Sequence, residues 1–95
     1  MTKRAQKCPI ARIATLLSDP WTMLVIRDLL SAPRRFSELE RSLSGVSSRT
    51  LTAKLKNLSD EKVATKSGLL YSITPRGKKL GKVIKAMEEC GKEYV

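Results

Sequence analysis

Apolar residues recur at helical spacing soon after the N-terminus: Ile10, Ile13, Ala14 and Leu17 share one face of a short amphipathic helix. Asp19-Pro20 follows. Asp19 suits an N-cap, and Pro20 suits the first helical position, where its missing N–H costs nothing. The pattern predicts a second helix from Trp21 to about Leu30, with Trp21, Leu24, Val25 and Leu29 on its apolar face. Ser31-Ala32-Pro33 ends it. Arg34-Arg35-Phe36 reads as a short extended piece able to pair as a third strand with a later hairpin. Ser37-Glu38-Leu39-Glu40 matches the reciprocal capping pattern, with Ser37 as cap and Glu40 reaching back, so a third helix of about two turns should run to Leu43. Gly45 permits a turn through positive φ. Ser47 then caps a fourth helix, Ser48 to about Asp60, with Leu51, Leu55 and Leu58 as its inward stripe.

The period then changes. Val63, Thr65 and the run Leu69 to Ile73 alternate as two short strands, with Ser67-Gly68 between them as the turn. Thr74-Pro75 repeats the cap-plus-proline device. From Pro75 towards Val95, Leu80, Val83, Ile84, Met87, Cys90, Gly91 and Tyr94 fall on one side of a final helix. The predicted fold is mainly α with a small β-hairpin: a winged helix-turn-helix over residues 8–95. The helix-turn-helix spans about 37–60, the wing about 63–73 and the last helix about 75–95. Residues Met1 to Lys7 are polar, basic and aperiodic and read as a flexible arm.

Composition narrows the partners. The 95 residues suffice for one domain, and 41% hydrophobic residues are enough for a core. Nineteen Lys and Arg against nine Asp and Glu give a formal charge of +10. A field of that sign on so small a body points to a polyanion, and double-stranded DNA fits the fold. The longest apolar run, Met23 to Ile26, is far short of a membrane span of about 20 residues. No secretory signal is visible at the N-terminus, and the two separated cysteines suit a reducing cytoplasm, with the protein on the nucleoid. The absence of His and of any CxxC spacing argues against structural zinc and against His-based catalysis. No metal, no cofactor and no enzymatic activity are expected.

The fourth helix carries the functional expectation. Ser48, Arg49, Thr52, Ala53 and Lys56 lie opposite its leucine stripe, with no acid before Asp60. Such a face can enter a major groove, about 12 Å wide, and Arg49 matches guanine O6 and N7 in a bidentate way. Ser47 and Thr50 join this set at the helix start, and Lys54 and Lys56 are assigned to phosphates. Arg34 and Arg35, near the wing base, and Lys66 and Ser67 at its tip are the remaining expected DNA contacts. The last helix, as one piece of roughly 20 residues, would be ~30 Å long. A domain this small cannot cover it, so a two-fold mate is expected. Asp28, Glu38, Glu40 and the Glu88-Glu89 pair read as surface or capping carboxylates.

Several stretches together resemble the HxlR-type regulators, distant relatives of the MarR type. They are Cys8-Pro9-Ile10; Trp21-Thr22; Pro33-Arg34-Arg35-Phe36-Ser37-Glu38-Leu39; Gly45-Val46-Ser47; Arg49-Thr50-Leu51-Thr52; and Tyr71-Ser72-Ile73-Thr74-Pro75 with Gly77. The resemblance covers the chain from Cys8 to about Leu80. It implies a homodimer on a near-palindromic operator, joined through the first and last helices, here by Ile10, Ile13, Leu17, Val83, Ile84, Met87, Cys90, Gly91 and Tyr94. It also implies that Cys8 is a candidate sensor of oxidants or electrophiles. Lys7 beside it, with Lys3 and Arg4 nearby, provides the positive surroundings typical of reactive thiols. The chain departs from the family in having Ser18-Asp19-Pro20 where a glycine-rich stretch is usual, and in a shorter wing. Three other readings compete. A nonspecific architectural protein shares the charge but discriminates weakly between sequences. A protein-docking module would ignore DNA. An enzyme lacks its residues.

Overall fold

The computed structural model describes residues 8–95. The basic arm expected over residues 1–7 lies outside them. The order is α1 (Pro9–Leu16), α2 (Pro20–Ser31), β1 (Arg34–Arg35), α3 (Phe36–Ser42), α4 (Ser48–Asp60), β2 (Ala64–Ser67), β3 (Leu70–Ile73), α5 (Pro75–Lys78) and α6 (Gly81–Gly91), closed by a 3-10 turn over Lys92–Tyr94. This is the winged helix-turn-helix order. No helix among the described residues is long and apolar enough to cross a membrane.

The core is aliphatic and sits between α2, α3 and α4. Val25, Ile26, Leu29, Leu39, Leu43, Leu51, Leu55 and Leu58 are buried there, together with Val63 from the start of the wing. Ile26, absent from the expected apolar face of α2, is fully buried, whereas Trp21 and Leu24 only pack against the core from its edge. A broad stripe rather than a single line of side chains is needed where α2 is wedged between several elements. Asp28 corrects another expectation. It is not a surface carboxylate but buried on α2, with Oδ1 held by Arg27 at 2.9 Å and Oδ2 without a hydrogen-bond partner among the described residues.

Capping fixes the helix starts. Asp19 accepts from the Trp21 N–H at 2.9 Å and starts α2. Ser47 accepts from the Thr50 N–H at 3.1 Å and starts α4. At α3 the expected Ser37–Glu40 device gives way to one set two residues earlier. Glu38 accepts from the Arg35 backbone N–H at 2.8 Å, so Arg35 is the N-cap. Glu40 is thereby freed to accept from the Ser48 hydroxyl at 2.5 Å, linking the two helices of the motif. Gly45 turns the chain between them at φ +96.

The sheet has the order β1-β3-β2 and is antiparallel throughout. Arg34 pairs with Tyr71 and Arg35 with Leu70, so the extended piece does join the hairpin. Ser67 pairs with Leu70, which moves the two-residue turn from the expected Ser67-Gly68 to Gly68-Leu69. Gly68, at φ +59, then holds the first central position, where a hairpin turn of type II′ requires glycine.

The last helix is broken. Leu80 donates to Gly77 O at 2.9 Å in a tight i→i+3 turn, and a new helix starts at Gly81. The cause is a tertiary contact. Gly77 is buried against the backbone of the wing, and a Cβ there would lie 2.3 Å from Val63 O. The chain is pinned at that point and redirected. The longest continuous piece, eleven residues, spans about 16 Å rather than ~30 Å.

Candidate nucleic-acid interface

The leucine stripe that seats α4 leaves its opposite face free. Ser48, Arg49, Thr52, Ala53 and Lys56 are all exposed, as the spacing required. Arg49 has no ion-pair partner among the described residues, so its guanidinium is available. Ala53 and Thr52 are small enough to let the helix backbone approach a groove floor. Lys56 touches Asp60 at 3.1 Å, but both side chains are largely in water. Such a pair contributes about 0–1 kcal/mol and yields easily to a phosphate.

Two expected contacts are placed elsewhere. Lys54 is turned to the back of α4, where its ammonium lies 2.7 Å from Asp19 Oδ2. Asp19 also accepts from the Thr22 hydroxyl at 2.7 Å. Burial pushes the Asp19 carboxyl up, but the hydrogen bonds from Lys54, Thr22 and the Trp21 N–H outweigh it and hold the group below its ordinary value. Lys54 thus fastens α4 to the start of α2. Thr50 is half-buried, and its hydroxyl accepts from Ser47 Oγ at 2.9 Å, which makes it part of the cap.

The wing adds a second basic surface. Arg35, Lys66 and Ser67 are exposed, and the Lys66 ammonium lies 5.4 Å from the Tyr71 ring centroid, within range of a cation–π contact. Arg34 is half-buried, with a long contact of 3.5 Å to Ser31 and a buried Nε without a partner among the described residues. Its fixed stem makes it a less mobile cation than Arg35. Leu69 stands 66% exposed in the turn itself, a residue the shifted register brings to the tip. Period-2 alternation could not have singled it out.

The residues expected at a dimer seam form an apolar groove instead of a closed surface. Ile10, Ile13, Leu17, Met23, Val83 and Met87 line a cavity of about 610 Å3. Ile10 is 81% exposed and Met87 46%, whereas Leu17 belongs to the core and forms the groove floor. Ile84 also packs partly on the core. Cys90 and Tyr94 are exposed at the far end, and Gly91 is half-buried. Cys8 is the N-cap residue of α1, and both cysteines are free and exposed. Among the described residues no cluster of metal-ligating side chains occurs.

A braced, acid-poor recognition helix followed by a three-stranded basic wing defines a DNA-binding transcription regulator of winged helix-turn-helix type. The chain belongs to the HxlR-like helix-turn-helix family, whose profile matches residues 16–95. It is 32% identical to the HTH-type transcriptional regulator sll1512 of Synechocystis, over 93% of this chain and 70% of that one. A MarR-family transcriptional regulator of Porphyromonas gingivalis W83 superposes with a TM-score of 0.90 at 27% identity, covering 95% of each chain. Quinone-bound YodB of Bacillus subtilis superposes with a TM-score of 0.83 at 26% identity, covering 90% of this chain and 99% of YodB.

Proposed function

We propose that this regulator binds a near-palindromic double-stranded operator as a homodimer, in the cytoplasm and on the nucleoid, with no catalytic chemistry of its own. The exposed face of α4 carries the reading: Arg49 reads a guanine edge, Thr52 and Ala53 allow close approach, and Ser48 and Lys56 serve the adjoining strand and phosphates. Ser47, at the helix start, presents backbone N–H groups to a phosphate. Arg34 and Arg35 with Lys66 and Ser67 clamp the backbone beside the groove. Two α4 helices about 34 Å apart meet successive major grooves on one side of the duplex.

The dimer reading rests on the open groove between α1 and α6. Ile10, Val83 and Met87 are too exposed for a surface meant to stay in water, and a second copy offers a matching one. Cys8 is the N-cap residue of α1, directly before Pro9, which lines that groove, and is proposed as the sensing thiol. Its exposure makes it reachable, and similarity to a protein solved with a quinone bound, YodB, favours an electrophile. A Cys8→Ser variant that kept both DNA affinity and the response to peroxide and quinone would remove the sensor.

Selection of random double-stranded DNA on the reduced protein at physiological salt tests the main reading. It should recover an inverted repeat with half-sites about one turn apart. Binding without enrichment would mean contact with the backbone alone and would favour an architectural role. Arg49→Ala should then cost about 1–3 kcal/mol on the selected site and relax one position of it.

A further inference from the structure

A separate cavity of about 270 Å3 lies where α1, the residue leading into the wing and α5 meet. Its floor is aliphatic: Ile13 and Leu16 from α1, with the buried Val63 and Leu80. Its rim is cationic: Arg12, Arg76 and Lys79. Among the described residues no carboxylate lines it. Arg76 and Lys79 are exposed and have no ion-pair partner among the described residues. Arg12 pairs with Glu61, the residue that ends α4.

An apolar floor closed by cations alone is complementary to a small amphipathic anion. A bare phosphate would leave the floor wet, and a neutral alkyl group would leave the cations without a counter-charge. We infer that this cavity binds a small aliphatic carboxylate, with its hydrocarbon body on Ile13, Leu16, Val63 and Leu80 and its carboxylate held by Arg76 and Lys79 within reach of Arg12 on the same rim. Small-molecule sites usually run from about 300 to 1,000 Å3, so the body must be compact, a short branched chain or a single ring.

The position of the cavity gives the ligand leverage. Val63 joins α4 to the wing, and its carbonyl accepts from both the N–H and the hydroxyl of Thr74, each at 3.0 Å. Arg12 ties α1 to the end of α4. A carboxylate in the cavity competes with Glu61 for Arg12 and so favours arrangements in which that tie is released. A ligand shifts an equilibrium only by its differential affinity for the two states, and Arg12 is the group whose partner differs between them. The regulatory half of this inference rests on the DNA reading above. The binding half does not.

The test titrates the isotope-labelled chain with cyclohexanecarboxylate, using neutral cyclohexanecarboxamide as control, and follows backbone amide signals by NMR. Saturable shifts at Ile13, Leu16, Val63 and Leu80 are expected with the carboxylate only. The double variant Arg76→Gln/Lys79→Gln, at exposed positions that leave the core intact, should weaken binding at least about tenfold. Absent shifts, equal shifts with the carboxamide, or undiminished binding by the double variant would overturn the site. A second measurement follows the affinity for the selected DNA at constant ionic strength. The carboxylate should lower it several-fold in the parent and not in the double variant. Unchanged DNA affinity on saturation overturns the regulation. Loss of DNA affinity by the ligand-free double variant, with no carboxylate effect in the parent, assigns these cations to phosphates and also overturns it. If the parent binds no DNA, the DNA reading fails while the titration still decides the site.

Discussion

Helix α4 and the helices at the two ends of the domain share an amphipathic pattern but meet different fates. Leu51, Leu55 and Leu58 of α4 are at most 3% exposed, whereas α1 and α6 contain no buried residue. The inward face of α4 is satisfied within one chain by α2, α3 and the start of the wing. The faces of α1 and α6 are only half satisfied and frame an open groove. The first region is therefore fully packed within a single chain, as the proposed base-reading role of α4 would require. The second leaves Ile10, Val83 and Met87 exposed within a single chain, the face that the proposed second copy would cover. Amphipathicity alone does not say which of these a helix will do. The number of elements around it does.

Four substitutions probe this contrast, from the largest expected effect to the smallest. Leu58→Ala, in the satisfied half, should lower the unfolding free energy by about 2–5 kcal/mol in chemical denaturation, because the cavity lies where three elements converge. Gly77→Ala should cost about 1–3 kcal/mol, since the added Cβ would press on Val63 O and Ile73 and only a backbone shift can relieve it. A loss confined to the signals of α6, with the wing unmoved, would show that the two regions are less coupled than this contact implies.

Asp19→Ala should cost about 0.5–2 kcal/mol through the lost cap, and it also frees Lys54 from the start of α2. The folded Asp19 carboxyl lies below its ordinary value of 3.8, so its contribution is complete above that pH and lost as the pH falls through the folded value. Acid denaturation curves of parent and variant should therefore converge at low pH, and a constant gap would contradict the ion pair. Met87→Asp should change the stability of the folded domain by no more than about 0.5 kcal/mol, yet weaken self-association markedly in sedimentation. An equal and large effect on both would mean that α6 is core rather than seam.

The parts of the fold that were legible are those fixed by neighbours in the chain. Ser47 and the leucine period set both ends of α4, and Asp19-Pro20 set the start of α2. The parts that were not legible depend on contacts across the chain. The break before Gly81 comes from Gly77 meeting a carbonyl fourteen positions earlier in sequence, at Val63. The wing turn shifted by one residue because both registers place Gly68 in a two-residue loop, and the preference for glycine at its first position decides between them. At the site, the exposed face of α4 followed from periodicity. Lys54 did not, since its charge was visible but its partner, Asp19, was 35 positions away. The cationic rim of the small cavity was equally hidden, because Arg12 is far in sequence from Arg76 and Lys79 and meets them only around that cavity in the folded chain.

The contrast between a self-sufficient α4 and incomplete terminal helices is tested most directly by the mass of the reduced protein in solution. Light scattering at micromolar concentration should report twice the chain mass of 10.6 kDa. A mass of one chain, with the groove between α1 and α6 open to water, would contradict the account.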